Sequence, residues 1–493
     1  MRPALLPVLS CAAAARAEKA FLRGDLTKSL ALMTKAAVGI RDEVVRHIGP
    51  SPRSLLVLAG KGNNGADAVL AAALLRGPKT VVTVLFAEGI PTEGQPALIW
   101  AKHGAGMRTA TPQDLPRLCR RRHDAVLDGL LGQGFRAPLR APYAKLIAAA
   151  DKLRGFRVAV DLPSGLGDRS AGPAFRADLT VSIGALKQPL LPLASERFRG
   201  RLRVIDIGLP NKPGTEACAT RRTLDALRRP RPAATEKRRQ GRLLIVAGSE
   251  HMPGAALMNT AAALQAGAGL VTTCLPRSIQ ARAAVAYPEA MWRGLPTDAA
   301  GALATPPAES LLENKDVLLA GSGMGAHAGD FLAQLLPRFR GDLVLDADAL
   351  RPDVVAACAD GRRTRVLLPH AGEFLRLSGH AMTTAHGLAY ARRTRTIVVL
   401  KGAVSAVTDG RRIVHIPFGG PVLARGGSGD LLAGIVAAVL ARRRVLGLSA
   451  FDAVVVAATW HAQAADLLSE QQGEEAVRTT DLLPRLSPVL LNR

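Results

Sequence analysis

Short apolar runs alternate with segments of helical spacing through the first half of the chain. The runs at 55–59, 80–87 and 157–160 have the length of buried strands, and a glycine or an acidic residue follows each of them. An alanine-rich segment at 66–76 has the spacing of a helix that packs between two such strands. Strands and helices that alternate in this way predict a parallel sheet with helices on both faces.

The second half repeats the alternation after a change in composition. The segment 221–241 is rich in arginine and contains Pro230 and Pro232, which favours a solvated connector, with a basic docking site as the alternative. Beyond it, apolar runs predict strands at 242–247, 270–274, 316–320, 343–345, 365–368 and 396–400. We therefore expect a domain at 1–220, a basic linker at 221–241 and a mostly parallel α/β domain at 242–493.

Composition and charge narrow the classes of function. The 493 residues carry a net charge of +25, which fits a polyanionic partner, a phosphate-bearing ligand or simply a basic solvated surface. The basic residues are spread along the chain and aromatic residues make up only 3%, which argues against nucleic-acid binding. No run reaches the ~18 apolar residues of a membrane span, so we expect no membrane association. The five cysteines are far apart, which indicates free thiols in a reducing, cytoplasmic compartment.

The N-terminal residues permit two interpretations. The apolar residues 4–9 and the following Ser10-Cys11-Ala12 could form a signal or lipoprotein junction. The apolar run is very short, however, with Pro3 directly before it and Pro7 inside it. We therefore favour an amphipathic helix from Cys11 onward.

A glycine-rich turn follows the first predicted strand. The sequence Gly60-Lys-Gly-Asn-Asn-Gly65 matches the G-x-G-x-x-G pattern of dinucleotide-binding loops, with a tight strand-to-helix turn as the simpler alternative. Two further polar loops follow strands and begin at Asp128 and Asp161. Loops at the carboxyl ends of parallel strands converge on one crevice, so Asn64, Asp128 and Ser164 should meet there. Their oxygen atoms suit a hard cation.

A second glycine-rich turn, Gly426-Gly-Ser-Gly-Asp430, precedes a helix in the second half. Such a turn offers backbone N–H groups to an anion, and an aspartate there can take a proton from a hydroxyl during phosphoryl transfer. A capped helix start is the alternative explanation. Asp346 and Asp348 fit either a metal-linked role or a simple turn. Further polar or glycine-rich motifs follow predicted strands at 248–255, 321–325, 368–373 and 401–402.

These motifs together resemble two known enzyme families. The loops at 62–67, 128–134 and 161–165 are similar to those of the NAD(P)H-hydrate epimerase domain. The turn at 426–430 and its accompanying motifs are similar to those of the ribokinase-like NAD(P)H-hydrate dehydratase domain. The resemblance implies an α/β protein of two domains, with an N-terminal Rossmann-like parallel sheet and a C-terminal ribokinase-like α/β domain.

For the first half, the resemblance implies an epimerase that interconverts the R and S forms of hydrated NADH and NADPH. It implies a potassium ion bound by Asn64, Asp128 and Ser164, and a catalytic Asp161 at the reacting ring. Besides Asp161, the residues implied to contact the hydrated cofactor are Asn63, Asn64, Gly65, Ala66, Asp67, Gly132, Gln133, Gly134, Phe135, Arg136, Ala137 and Pro138. Ala66 replaces a glycine that is usual in this family, which would strain the loop if the position required a positive φ.

For the second half, the resemblance implies an ADP-dependent dehydratase that phosphorylates the ring hydroxyl and then releases AMP, phosphate and the restored cofactor. Asp430 would act as the base on the hydroxyl, and Mg²⁺ would neutralise the phosphates. The residues implied to contact the hydrated cofactor are Ala255, Gly323, His370 and Asp430. Those implied to bind the nucleotide are Lys401, Gly402, Ala403, Val404, Ser405 and Gly429.

Three functions compete at this point. A bifunctional repair enzyme, expected to be a homo-oligomer with small-molecule substrates only, explains both sets of motifs and is the one we favour. A ribokinase-like small-molecule (vitamin) kinase with a fused nucleotide-binding domain would share the Gly-Ser-Gly-Asp turn but has no need of the Asn-Asn-Gly loop. A non-catalytic nucleotide- or RNA-binding protein would explain the charge alone.

Overall fold

The computed structural model describes residues 2–169, 172–210, 212–359 and 361–491. Contacts between residues divide the chain into two compact units. The first unit spans Leu6–Cys218, and the second consists of the chain from Ala219 onward together with residues 2–5. Both units are α/β structures built on parallel strands, which confirms the predicted fold class.

A sheet of seven parallel strands forms the centre of the first unit. Up to residue 219, the strands are β1 (Leu5–Leu9), β2 (Ser54–Ala59), β3 (Val81–Phe86), β4 (Arg108–Ala110), β5 (Arg122–Gly129), β6 (Arg154–Val160), β7 (Leu179–Ile183), β8 (Leu186–Lys187), β9 (Arg201–Ile205) and β10 (Glu216–Ala219). The helices are α1 (Cys11–Leu22), α2 (Leu26–Ile48), α3 (Asn63–Leu75), α4 (Gly94–His103), α5 (Leu115–Cys119), α6 (Ala141–Ala150) and α7 (Glu196–Arg199). The sheet order is β4-β3-β2-β5-β6-β7-β9. β1 pairs with β8 in parallel, and Leu9 lies opposite Lys187.

Helices cover both faces of this sheet because its strands are buried on both sides. Ile40 of α2 and Val69 of α3 pack with Val57 of β2 in one apolar core. Leu56, the neighbour of Val57, packs with Leu146 of α6 in the core on the opposite face. Successive strand residues point to opposite faces, so a strand between two helical layers is apolar throughout.

The N-terminal helix lies where the alanine-rich pattern predicts it. α1 begins at Cys11, and the preceding Ser10 accepts a hydrogen bond from Ala13 N over 3.1 Å. The carboxylate of Asp168 accepts hydrogen bonds from the backbone N–H groups of Cys11 at 2.7 Å and Ala12 at 2.9 Å. These contacts satisfy the free N–H groups that every helix start presents. The helix interpretation of this segment is therefore confirmed.

The second unit contains nine consecutive strands of a mostly parallel sheet. Its strands are β11 (Arg242–Val246), β12 (Leu270–Pro276), β13 (Met291–Leu295), β14 (Val317–Ala320), β15 (Asp342–Leu345), β16 (Arg365–Leu367), β17 (Ile397–Leu400), β18 (Ser405–Thr408) and β19 (Ile413–Ile416). The helices are α8 (Pro253–Gln265), α9 (Gln280–Ala286), α10 (Glu309–Leu312), α11 (Ala328–Leu335), α12 (Pro352–Ala357), α13 (Ala371–Ser378), α14 (Thr384–Thr394), α15 (Ser428–Ala441), α16 (Arg443–Leu446), α17 (Ala450–Gln472) and α18 (Leu486–Leu491). The order of these nine strands is β13-β12-β11-β14-β15-β16-β17-β18-β19, in which β17 pairs with β18 and β18 with β19 in antiparallel.

The segment predicted as a connector, 221–241, lies within the second unit and contains the short 3₁₀ turns Arg221–Ala226 and Lys237–Gln240. All five cysteines are free thiols, and only Cys119 is not fully buried. Across the described residues, no helix combines the length and the apolar composition that crossing a membrane requires.

Candidate active sites

A cavity opens at the carboxyl ends of the strands in the first unit. β2 and β5 end side by side, with Ala59 opposite Gly129, and Asp128 of β5 pairs with Ala159 of β6. The loops that follow these strands therefore meet, as a parallel sheet requires. The cavity has a volume of about 590 Å³. Its polar wall includes Glu18, Lys61, Asn63, Asn64, Asp67, Glu88, Gln133, Arg136, Arg140, Tyr143, Asp161 and Lys187.

Most of the residues predicted to contact the hydrated cofactor line this cavity. They are Asn63, Asn64, Asp67, Gly132, Gln133, Gly134, Phe135, Arg136, Pro138 and Asp161. Gly65, Ala66 and Ala137 are not part of its wall. Gly65 and Ala66 are instead buried behind the loop, where they allow it to pack closely.

Close packing explains the glycines of the first turn. A Cβ atom at Gly60 would lie 2.0 Å from the Leu130 carbonyl oxygen, and one at Gly65 would lie 2.2 Å from the Gly60 carbonyl oxygen. Non-bonded atoms do not approach so closely, so neither position can accept a side chain without moving the backbone. Ala66 differs from both, since it lies within α3 and does not have a positive φ. Because position 66 does not require a positive φ, the alanine does not strain the loop.

The three residues predicted to bind potassium lie together. Ser164 donates from its Oγ to Asp128 Oδ1 over 2.6 Å and from its backbone N to Asp128 Oδ2 over 2.8 Å. Asn64 Nδ2 donates to the Leu131 carbonyl at 3.0 Å, and Leu131 N donates to Ser164 Oγ at 2.8 Å. Asp128 is fully buried, and this burial raises its pKa to about 6. A buried carboxylate among neutral oxygen donors suits a hard monovalent cation, which would offset its charge.

Asp161 follows β6 directly and has an unusual backbone conformation. Its φ is +67°, a left-handed value that a non-glycine residue keeps only when its surroundings hold it there. The carboxylate accepts a hydrogen bond from Ile183 N at 3.0 Å and forms an ion pair with Lys187 Nζ. Lys187 also donates to the Ile183 carbonyl oxygen. The exposed fractions are 5% for Asp161 and 1% for Lys187, so the ion pair is buried.

Two residues of the cavity carry little signal in the sequence. Lys187 lies 26 residues beyond Asp161, and the apolar residues 185–186 just before it are the only hint that this lysine is buried. Glu18 lies on α1 and accepts a hydrogen bond from Gln133 Nε2 at 2.5 Å. Burial raises the pKa of Glu18, although the hydrogen bond opposes the shift. Sequence reasoning missed both residues.

Asp67 lies on α3 and lines the same cavity as Glu18 and Asp161. Burial raises the pKa of Asp67 well above its usual range, and the negative charges of Asp161 and Glu18 act in the same direction. Its Oδ1 atom is buried and has no hydrogen-bond partner among the residues that the structure describes. We call Glu18, Asp67, Asp161 and Lys187 the carboxyl cluster.

In the second unit, loops from several strands converge near the start of α15. A Cβ atom at Gly323 would lie 2.7 Å from the Cβ of Ala255, so the loop after β14 contacts α8 at two predicted substrate-binding positions. A Cβ atom at Gly429 would lie 3.5 Å from both Asp346 Oδ2 and Lys401 Nζ. The loop after β15, the end of β17 and the first turn of α15 therefore form one site.

Lys401 is the central charge of this second site. Its Nζ lies 2.9 Å from Asp346 Oδ1 and 3.7 Å from Glu373 Oε2. Burial works against the charged lysine, but these two carboxylates raise its pKa overall. Asp348 instead accepts a hydrogen bond from Gly325 N at 2.8 Å, as a turn residue does. The other predicted nucleotide-binding residues that follow Lys401 lead from β17 into β18, and they are Gly402, Ala403, Val404 and Ser405.

Asp430 lies in the first turn of α15 and is half-buried. Burial raises its pKa to about 6, and the negative charge of Asp346 adds to the shift while Lys401 opposes it. A carboxyl group with such a pKa can act as a base near neutral pH. His370 immediately precedes α13 and caps its start, where its Nδ1 accepts a hydrogen bond from Gly372 N at 3.0 Å. Its Nε2 lies 3.4 Å from Glu373 Oε1, and the side chain is 60% exposed, so part of the ring can still contact a ligand.

The fold and these two sites define an α/β enzyme with two active centres, one in each compact unit. Residues 243–487 match the family described as NAD(P)H-hydrate dehydratase, and residues 29–189 match the YjeF-related protein N-terminus. The chain is 35% identical to the bifunctional NAD(P)H-hydrate repair enzyme Nnr of Moorella thermoacetica, over 94% of this chain and 93% of that protein. It is 32% identical to the Nnr of Thermosynechococcus vestitus, over 99% of this chain and 98% of that protein.

A solved structure, the ADP/ATP-dependent NAD(P)H-hydrate dehydratase from Bacillus subtilis, is 24% identical and covers 53% of this chain and 92% of its own, with a TM-score of 0.44. The identities over nearly the full length of the curated relatives establish that the chain belongs to the family of bifunctional NAD(P)H-hydrate repair enzymes. It joins an NAD(P)H-hydrate epimerase half to an NAD(P)H-hydrate dehydratase half. The prediction from the motifs is confirmed, and the vitamin kinase is not favoured.

Proposed function

We propose that the cavity of the first unit binds hydrated NADH or NADPH and that Asp161 acts on its ring. The hydroxyl of the hydrated ring is attached to the carbon beside the ring nitrogen, so the nitrogen can help it leave and return. A fixed carboxylate next to the ring stabilises the positive charge that develops meanwhile. Lys187 and Ile183 hold the Asp161 carboxylate in place at the cavity wall. This buried ion pair is the observation that carries the proposal.

The rest of the cofactor is expected to contact the two loops that form the cavity wall. Asn63, Asn64 and Asp67 come from the first loop and its helix, and the predicted residues at 132–138 come from the second. α3 begins without a side-chain cap, so its first backbone N–H groups can donate hydrogen bonds to a phosphate. A potassium ion bound by Asn64, Asp128 and Ser164 would supply positive charge beside this helix start.

For the second site we propose that ADP transfers its terminal phosphoryl group to the ring hydroxyl of the S hydrate. Asp430 takes the hydroxyl proton as the new oxygen–phosphorus bond forms and AMP leaves. The ring nitrogen then expels phosphate, and loss of a proton from the neighbouring ring carbon restores the double bond. Residues 401–405 with Gly429 would bind the nucleotide, and Ala255, Gly323 and His370 would contact the hydrated cofactor.

Magnesium fits this site as a companion of the nucleotide. Within the described ranges, no three acidic, histidine or cysteine side chains come together as a metal cluster. Mg²⁺ commonly binds through substrate phosphates with one or two carboxylates and several waters, rather than in a cage of protein ligands. When bound, it would neutralise phosphate charge near Asp346 and Asp430.

A single assay tests both assignments. The full chain is mixed with ADP, Mg²⁺ and both epimers of hydrated NADH, and the absorbance of restored NADH is followed. Asp430→Asn should abolish NADH release, whereas Asp161→Asn should leave the R epimer to be repaired only at its spontaneous rate of conversion. Asp353→Asn, an exposed acid at the start of α12, serves as the control and should retain both activities. Unchanged turnover in Asp430→Asn would contradict the assignment of the base.

Two finer points stay predictions. We expect a homo-oligomer, which analytical ultracentrifugation of the full chain would detect as a mass above that of one chain. We also expect a cytoplasmic enzyme, consistent with its five free thiols.

A further inference from the structure

Two carboxyl groups of the first cavity have opposite surroundings. Asp161 has a buried lysine and a backbone N–H group directed at its carboxylate. Asp67 has neither, and its Oδ1 is buried without a hydrogen-bond partner among the described residues. Both side chains line the same cavity. An enzyme that separates the roles of acid and base does so by giving two titratable groups opposite environments in one site.

We propose that Asp67 is the general acid of the epimerase reaction and that it donates its proton to the hydroxyl group of the hydrated nicotinamide ring. The proposal rests on the function proposed for the cavity and adds a residue to its chemistry. A protonated carboxyl needs an acceptor, and a substrate hydroxyl in the cavity would provide one for the unpartnered side of Asp67. The raised pKa of Asp67 is consistent with a group that holds its proton until substrate arrives.

The step conserves protons and electrons. Asp67 gives its proton to the ring hydroxyl, the carbon–oxygen bond breaks, and the bonding electron pair leaves with water. The lone pair of the ring nitrogen forms a carbon–nitrogen double bond, and the resulting positive charge lies beside the carboxylate of Asp161. Water then adds to the same carbon from the opposite face. The excess proton of this water passes through the side chains of the carboxyl cluster back to the Asp67 carboxylate. The step therefore consumes no proton.

Other ionisable groups near Asp67 determine how it titrates. Glu18 of α1 and Asp161 after β6 raise its pKa by their charge, and Lys187 of β8 lowers it. The remaining ionisable side chains of the cavity wall are Lys61, Glu88, Arg136, Arg140 and Tyr143. Among these, Glu88 accepts a hydrogen bond from Tyr143 at 2.8 Å and forms an ion pair with Lys61. Glu18 is therefore the only other acid on the wall that combines a raised pKa with a place in the carboxyl cluster.

The test measures how the epimerisation rate depends on pH. Purified S hydrate of NADH is incubated with the full chain without ADP, and chromatography follows the appearance of the R epimer. For the wild-type enzyme, kcat/KM should fall as pH rises through the pKa of Asp67, because the carboxylate has no proton to give. Asp67→Asn should lower the rate at least about 100-fold, since general acid catalysis typically contributes 10²–10⁴. The small residual enzymatic rate should lack the alkaline decline.

Controls separate this proposal from a structural role and from failure of the site. Asp67→Asn should retain ADP-dependent dehydration of the S hydrate in the second unit, which reports a folded chain, and should lower the kcat of epimerisation by a larger factor than it raises KM. Asp151→Asn, an acid outside the cavity wall, should keep both the rate and the alkaline decline. A normal rate and normal decline in Asp67→Asn, or loss of the decline in Glu18→Gln instead, would overturn the proposal. A wild-type rate no faster than spontaneous conversion would refute the epimerase assignment itself.

Discussion

Replacing Lys187 with methionine removes one half of the buried ion pair and keeps most of the aliphatic side chain. Because Lys187 is 1% exposed and Asp161 is 5% exposed, little water can take the place of the lost ammonium group. Removing one member of a buried ion pair destabilises a protein by about 3–5 kcal/mol, since the remaining charge is uncompensated. That loss corresponds to a roughly 10²- to 10⁴-fold increase in local opening, at about 1.4 kcal/mol per factor of ten.

Hydrogen exchange with mass spectrometry of the full chain measures this opening. Protection of peptides from β6 to β8 should fall in Lys187→Met and in Asp161→Asn. In the double variant both charges are gone, so its loss of protection should be well below the sum of the losses in the two single variants. Peptides from α15 in the second unit should not change and serve as the internal control. Protection of β6 to β8 close to that of the wild type in Lys187→Met would refute the reasoning.

Three shorter predictions concern the glycine turn, the dehydratase base and the cation. Gly65→Ala should lower the melting temperature, because its Cβ would lie 2.2 Å from the Gly60 carbonyl oxygen, whereas Gly62→Ala meets no atom within 4 Å and should not. Equal melting temperatures would contradict the packing argument. The dehydration kcat/KM should rise with pH through about 6, since Asp430 must lose its proton to act as a base, and a flat profile would contradict this. Replacing potassium with tetramethylammonium should slow epimerisation in the wild type but not in Asn64→Leu, and an insensitive wild type would remove the ion from the proposal.

Much of the fold could be predicted because buried parallel strands are apolar on both faces. The runs at 55–59 and 157–160 correspond to β2 and β6 within a few residues. The antiparallel strands β18 and β19 were not predicted. An Asp-Gly pair at 409–410 between them is a typical hairpin signal, but each strand has only four residues.

The loops of the sites could be predicted for a related reason. The glycines of each tight turn and the acids that follow each strand lie within a few residues of one another in the sequence. The parallel sheet then brings the loops that contain them to one edge. Lys187 and Glu18 have no such local context. Their partners are 26 and 115 residues away, so only the folded chain shows that Lys187 meets Asp161 and that Glu18 meets Gln133.

The two sites place a lysine differently relative to the proposed catalytic carboxylate. In the first unit Lys187 pairs directly with Asp161, so this carboxylate is rigid and suited to stabilise a cationic ring. In the second unit Lys401 forms its ion pair with Asp346, and Asp430 has no ion-pair partner among the described residues; burial raises the pKa of Asp430 to about 6, although a hydrogen bond with Ser322 opposes the shift. A base must be free to accept a proton, whereas a group that stabilises charge must stay charged. The ion pair of the proposed charge-stabilising carboxylate at the first site therefore fits epimerisation. The absence of such a pair at the proposed base among the described residues of the second site fits phosphoryl transfer.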